Sequence, residues 1–274
     1  MTTLARPAAP DPVVVAPPGA TTRRGPVRRA LPAAATAVVL LVVWEVATRV
    51  LAVPAWMLPG PLRIAQEAVS VAPTLWPDVL STVRLTVIGG VLGVALGLAI
   101  AAAMHLVEPL RSAVYPLLIV SQNVPSIALA PLLVIWFGFG LTPKIVVIVL
   151  VCFFPVAVAA MDGLRGADRV VVDYLRMSGA TRRQVFTKVE VPSALPAVFS
   201  GLKIAATYAV MGAVVAEWVG SDRGVGHYML LQKSAFRADR VFVAILVIVV
   251  LSLALFALIA ALERRTTRWR TRER

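Results

Sequence analysis

DGLRGADRVVVDYLRMSGATRRQVFTKVEVPSALP, residues 162–196, is an arginine-rich polar stretch set between long apolar runs. It has room for two short helices. Gly179 is a natural turn between them, because glycine takes φ > 0 without steric cost. Pro192 and Pro196 then punctuate the return to apolar sequence. A polar loop of this size inside an otherwise hydrophobic chain reads as a docking device.

The chain is 59% hydrophobic, with a mean hydropathy of +0.85. Soluble domains run at roughly 45–50% apolar. The apolar residues also gather into runs near the ~20 residues that cross a bilayer. A soluble fold cannot hide several such runs, so the sequence predicts an all-α integral membrane protein. The net charge of +13 raises the question of nucleic acid, and its placement answers it. Arg6, Arg23, Arg24, Arg28 and Arg29 against Asp11 precede the first run. Arg264, Arg265, Arg268, Arg270, Arg272 and Arg274 against Glu263 and Glu273 follow the last. Together they supply 8 of the 13 net charges. That is positive-inside flanking, and no basic aromatic domain remains to bind nucleic acid. Cys152, the single cysteine, lies in an apolar run, which excludes a disulfide framework and a cysteine metal site.

About six spans are expected, at roughly 31–52, 85–104, 113–139, 144–161, 197–219 and 241–262. Residues 1–30 read as a disordered basic cytoplasmic tail, 31–262 as the membrane domain, and 263–274 as a second basic tail. Arg23-Arg24 resembles a twin-arginine signal, but Glu45 interrupts the following apolar core and further spans come after it. Glu45 and Arg49 share a helix face and can pair. Residues 53–82 read as an outer segment broken by Pro54, Pro59 and Pro61, with a short surface helix over 62–71. Gly89, Gly93 and Gly97 form a face without side chains, as do the small residues Gly201, Ala205, Ala209 and Ala213; both predict close helix packing. His105, near Glu108 and Arg111, reads as interfacial, Pro155 as a kink, the last span as lipid-facing, and 220–240 as an outer loop with a short helix.

The third span carries Ser121, Gln122, Asn123, Pro125 and Ser126 near its middle. Polar side chains at that depth must face protein or water. Two compatible readings stand: a lining of a translocation path, or a kinked helix whose amides satisfy a neighbour's backbone. Glu217, closing the fifth span, joins the path candidates. Six spans put both termini on one side, the arginines make that side cytoplasmic, and the 162–196 loop falls there too. The chain has no GxxxxGK[ST] loop, no HExxH and no Cys/His cluster, so no catalytic residue and no cofactor or metal site is expected. A self-powered secondary transporter would show repeated halves and intramembrane charge. A large cytoplasmic loop without a built-in energy source suggests energy delivered by a partner.

The run Gly179-Ala180, then Phe186, Val189, Val191-Pro192 and Ala194-Leu195-Pro196, resembles the EAA loop of bacterial ABC importer permeases. Asp173-Tyr174-Leu175 stands where that family has Glu-Ala-Ala, and Val191 where Leu is common. LPGPLRIAQEA (58–68), PSIALAPLLVIWFGFGLTPK (125–144), FFPVAVAAMDGLR (153–165) and AEWVGSDRGVG (216–226) are similar to the nitrate/sulfonate/taurine-type branch. The resemblance implies a type I importer permease in the bacterial inner membrane. Its partners would be a second permease subunit, as a homodimer or with a homologue, an ABC ATPase dimer, and a solute-binding protein outside. ATP would be bound by the partner. Asp173, Leu175, Arg176, Gly179, Ala180, Phe186, Pro192 and Pro196 would form the ATPase-coupling loop. Arg176, Arg182 and Arg183 would pair with the ATPase; ordinary positive-inside anchoring is the other reading. Residues 121–140 and 201–220 look most like the sub-branch associated with thiamine-precursor pyrimidines, beside sulfonates, taurine and nitrate.

Overall fold

The computed structural model describes residues 26–267, and every regular element among them is helical. Helix α1 is Pro26–Val50, α2 Pro61–Leu106, α3 Glu108–Ser121, α4 Ser126–Phe137 and α5 Leu141–Arg165. Then follow α6 Arg169–Met177, α7 Arg182–Val185, a π-turn over Phe186–Glu190, α8 Val191–Trp218, α9 Val225–Ser234 and α10 Ala238–Thr266. Four helical runs are long and apolar enough to cross a bilayer: α2, α5, the run Arg182–Trp218, and α10. The bent pair α3–α4 makes up to 5 if it is one broken span. The described residues thus carry four to five candidate spans by this measure, against about six expected; α1, helical over the first expected run, stands outside that count. Residues 1–25 and 268–274, most of the two expected tails, lie outside the described residues.

Helix α5 is the centre, packed between α2 and α8. The small-residue faces explain why. A Cβ on Gly89 would come 2.7 Å from Ile148 Cβ, and one on Gly93 2.7 Å from Cys152 Cβ. A Cβ on Gly97 would meet the Phe153 carbonyl at 2.5 Å, and one on Gly201 the Pro155 carbonyl at 2.8 Å. Glycine lets these backbones approach where the bilayer supplies no hydrophobic drive between helices. Ala205, Ala209 and Ala213 are buried with Ile148, Cys152 and Val156 in the same seam. Pro155 lies within α5, which runs unbroken. By contrast α10 buries only 11% of its most apolar window, so its surface is left for lipid.

Three expectations require correction. The outer segment 53–82 is not a separate surface helix: α2 is one helix of 46 residues that runs through Pro73 and Pro77. At 1.5 Å per residue it is about 69 Å long. Ile64, Ala68, Val71, Leu75 and Val79 form a helical stripe packed on Val225, Tyr228, Val243 and Ala244 of α9 and α10, and that burial offsets the hydrogen bonds the prolines remove. Pro192 and Pro196 do not break the chain either. The π-turn supplies a bond from Val191 N–H to the Phe186 carbonyl, and Pro192 falls in the first turn of α8, where no N–H is needed. Finally α10 runs past residue 262, because Glu263 pairs with Lys203 at 2.5 Å and the hydroxyls of Thr266 and Thr267 bond back to the last turn.

The third expected span is more than kinked. Helices α3 and α4 meet at 101°, with Pro125 as the N-cap of α4. Glu45 pairs with Arg49 at 2.6 Å as expected, and its other oxygen accepts from Leu62 N–H at 3.0 Å, which ties α1 to the start of α2.

Candidate coupling site

Helix α6 is short and has well-defined ends. The Asp168 carboxylate accepts from Val170 N–H at 2.8 Å, an N-cap that satisfies one of the four free donors of the first turn. At the other end Gly179 takes φ +84°. Its N–H donates to the Arg176 carbonyl at 3.0 Å, and Ala180 N–H donates to the Leu175 carbonyl at 2.9 Å. That bond pair is a Schellman ending, and it requires a left-handed residue at position 179. A Cβ at Gly179 would meet nothing within 4 Å, so backbone conformation alone demands the glycine.

The helix has two apolar faces. Val172 is buried and Leu175 half-buried against the bundle. On the far side Val170, Tyr174 and Met177, spaced i, i+4, i+7, are 77%, 65% and 81% exposed. Asp173 and Arg176 are exposed beside them. The coupling candidates Asp173, Leu175 and Arg176 lie on this helix; its outward apolar face is not among them, although the i, i+4, i+7 spacing of Val170, Tyr174 and Met177 is a signal in the sequence.

The second half of the loop is fixed. Thr181 and Gln184 form a capping box at the start of α7. Arg182 Nη2 donates to the Leu106 carbonyl at 2.8 Å, satisfying an orphan acceptor at the C-terminal end of α2. His105 Nε2 lies 2.8 Å from Glu190 Oε2, and its ring centroid is 5.8 Å from that of Phe186. His105 is therefore a clamp between α2 and the π-turn rather than a solitary interfacial side chain.

The second group of candidates lies at the α3–α4 break. Ser121, Gln122, Asn123 and Pro125 are exposed and Ser126 is half-buried. Ser121 Oγ donates to the Leu118 carbonyl at 2.8 Å and Asn123 Nδ2 to the Ile119 carbonyl at 3.0 Å. The amide thus caps its own helix, not a neighbour's. Glu217 belongs to neither group. It is 1% exposed, and Oε1 accepts from Thr82 Oγ at 2.7 Å while Oε2 accepts from Gly226 N–H at 2.8 Å. Thr82 Oγ also accepts from Val225 N–H at 2.9 Å, and Asp78 Oδ1 accepts from Gly224 N–H at 2.8 Å. Three side chains from α2 and α8 therefore satisfy three successive N–H groups at the start of α9. A Cβ on Gly224 would collide with the Glu217 carboxylate. Among the described residues no cluster of His, Cys, Asp or Glu is arranged to hold a metal ion.

Apolar helices packed through glycine faces, one sharply bent helix pair and a capped polar loop at the bundle end define a polytopic membrane protein. The chain belongs to the family of binding-protein-dependent transport system inner membrane components, whose model matches residues 93–268. It is accordingly a non-catalytic inner-membrane subunit of an ABC importer, of a family whose permeases carry no cofactor. The formylaminopyrimidine transport permease of Halalkalibacterium halodurans is 36% identical over 85% of this chain and 94% of its own length. The riboflavin transport permease of Chloroflexus aurantiacus is 35% identical over 85% and 88%, and the taurine transport permease of Escherichia coli 33% identical over 85% and 87%. Among solved structures, an inward-facing MetNI methionine ABC transporter superposes with a TM-score of 0.63 at 20% identity, covering 71% of this chain and 98% of that one. That likeness establishes the fold.

Proposed function

We propose that this permease forms the solute pathway of an ATP-driven type I importer, and that α6 is the element through which a separate ATPase moves it. The observation that carries the reading is the contrast within the loop: an outward face of Val170, Tyr174 and Met177 left exposed by the described residues, mounted on a segment clamped to α2. Burying valine or methionine side chains yields about 1.5–3 kcal/mol each, so a cleft that covers this face gains enough to hold it. A rigid capped helix then transmits closure of the ATPase dimer as a displacement of α8. Asp173, Leu175, Arg176, Gly179, Ala180, Phe186, Pro192 and Pro196 are assigned to this coupling unit.

In this reading α1, the four long runs and the broken pair give six spans with both termini cytoplasmic. The broken pair lines the path with Ser121, Gln122, Asn123, Pro125 and Ser126, facing a second copy of the chain across the exposed apolar surface of Ile135, Trp136 and Phe137. Glu217 takes part indirectly, by fixing α9 at the outer mouth. A solute-binding protein delivers a small organic or anionic solute. The formylaminopyrimidine-type precursor is favoured over sulfonates, taurine and nitrate, on the resemblance of residues 121–140 and 201–220 and on similarity to the H. halodurans permease. The test is co-purification with the cognate ATPase, then a thermal-shift screen of the cognate binding protein against these four solute classes. Recovery of the ATPase and a shift by one class fits the proposal. Transport driven by an ion gradient with no ATPase bound overturns it.

A further inference from the structure

Beneath the coupling helix lies a cavity of about 230 Å³ that shares only Arg176 with the coupling unit. Arg111 from α3, Arg165 from the end of α5, Arg176 from α6 and Arg182 from α7 line it, with Glu108 and Glu190 as its acids. Glu190 is already committed to His105. Among the described residues Arg111, Arg165 and Arg176 make no ion pair or side-chain hydrogen bond, whereas Arg182 is spent on the Leu106 carbonyl. Arg165 and Arg176 also border a second cavity of about 380 Å³, to which Arg169 adds a charge against Asp173. Three guanidinium groups from three elements thus converge on a cavity in which Glu108 is the one acid not already committed among the described residues.

We infer that this cavity binds a phosphoryl group, and that the group belongs to an anionic phospholipid. Guanidinium forks match phosphate oxygens in bidentate geometry. Two features favour the lipid over free phosphate. The site sits where the apolar runs of α2 and α5 end, at the level of head groups, and basic pockets between helices at the cytoplasmic side hold such groups. Its inner wall is apolar, made by Met104 and Met161, each 1% exposed, so the site changes from charged to apolar as a phospholipid does. A bound phosphate would join Arg176 on the exposed helix to Arg165 on the central one and hold α6 in a fixed attitude.

The test uses the full chain purified in a neutral detergent, so it does not depend on the ATPase. Wild type, R111Q/R165Q/R176Q and the charge-keeping R111K/R165K/R176K are titrated with short-chain phosphatidylglycerol, phosphatidylcholine and inorganic phosphate. Thermal shift and native mass spectrometry are the readouts. Phosphatidylglycerol is expected to bind wild type and raise its Tm, phosphatidylcholine to do neither, and the glutamine variant to bind about tenfold or more weakly. The lysine variant retains part of the affinity, which separates lost charge from lost folding. Inorganic phosphate giving the full shift supports the phosphoryl site and overturns the lipid assignment. Equal binding by the glutamine variant and wild type overturns the site.

Discussion

Two polar assemblies sit at opposite ends of the run Arg182–Trp218, and they are built on opposite plans. At the Trp218 end Asp78, Thr82 and Glu217 close on the start of α9 with hydrogen bonds made inside this chain. At the Arg182 end α6 is capped at both ends yet leaves an apolar face and several arginines without a partner among the described residues. A buried polar group left unpaired costs about 1–3 kcal/mol, so the Glu217 assembly has to be self-sufficient. An exposed group bears no such penalty, so the α6 loop is free to be completed from elsewhere. The Glu217 node fixes shape; the α6 loop leaves a face open.

Substitutions at the two ends should therefore separate stability from coupling. The largest loss of stability is expected for Glu217→Ala, which strands Gly226 N–H in a buried site, leaves the Thr82 hydroxyl only the Asp78 carbonyl at 3.2 Å to donate to, and opens a cavity. About 2–5 kcal/mol should disappear, seen as a sharply lowered Tm or loss of folded protein in detergent. Thr82→Val keeps the shape but removes the acceptor of Val225 N–H and the donor to Glu217, for about 1–3 kcal/mol; Thr82→Ser should restore most of it, as thermal unfolding can check. Gly179→Val forces a β-branched residue to φ +84°, costing about 1–2 kcal/mol at the loop alone. Its Tm should fall little while ATPase co-purification is lost; retention of both ATPase and transport would remove the coupling role from this loop. The smallest effect on stability belongs to V170S/M177S, near zero, because both side chains are already in solvent. In ATPase association that last pair should show a clear loss and Thr82→Ser none, which reverses the order.

Local features were far more legible in sequence than contacts between distant segments. Gly179 as a turn, the glycine faces and the Glu45–Arg49 pair all depend on residues a few positions apart, where local rules hold. The role of Glu217 depends on Thr82, 135 positions away, and on Gly226 beyond a turn. No local pattern announces that triangle, so Glu217 read as a pathway group. The same holds for His105 and Glu190, 85 positions apart. The prolines misled for a different reason. Pro192 falls in the first turn of α8, where it costs little, and the local cost of Pro196 against helix is outweighed by packing of α8. The break between α3 and α4 was visible as a cluster of polar residues and proline, but its 101° angle was not.

The most direct test of the coupling claim is photo-crosslinking in the assembled transporter. A photoreactive residue is placed in turn at Tyr174, Met177 and Val172. Tyr174 and Met177 face outward, and Val172 faces the bundle. The expected result is crosslinking to the ATPase from positions 174 and 177 and none from 172. Absence of ATPase adducts at 174 and 177, or equal adducts at all three positions, would contradict the assignment of α6 as the docked helix.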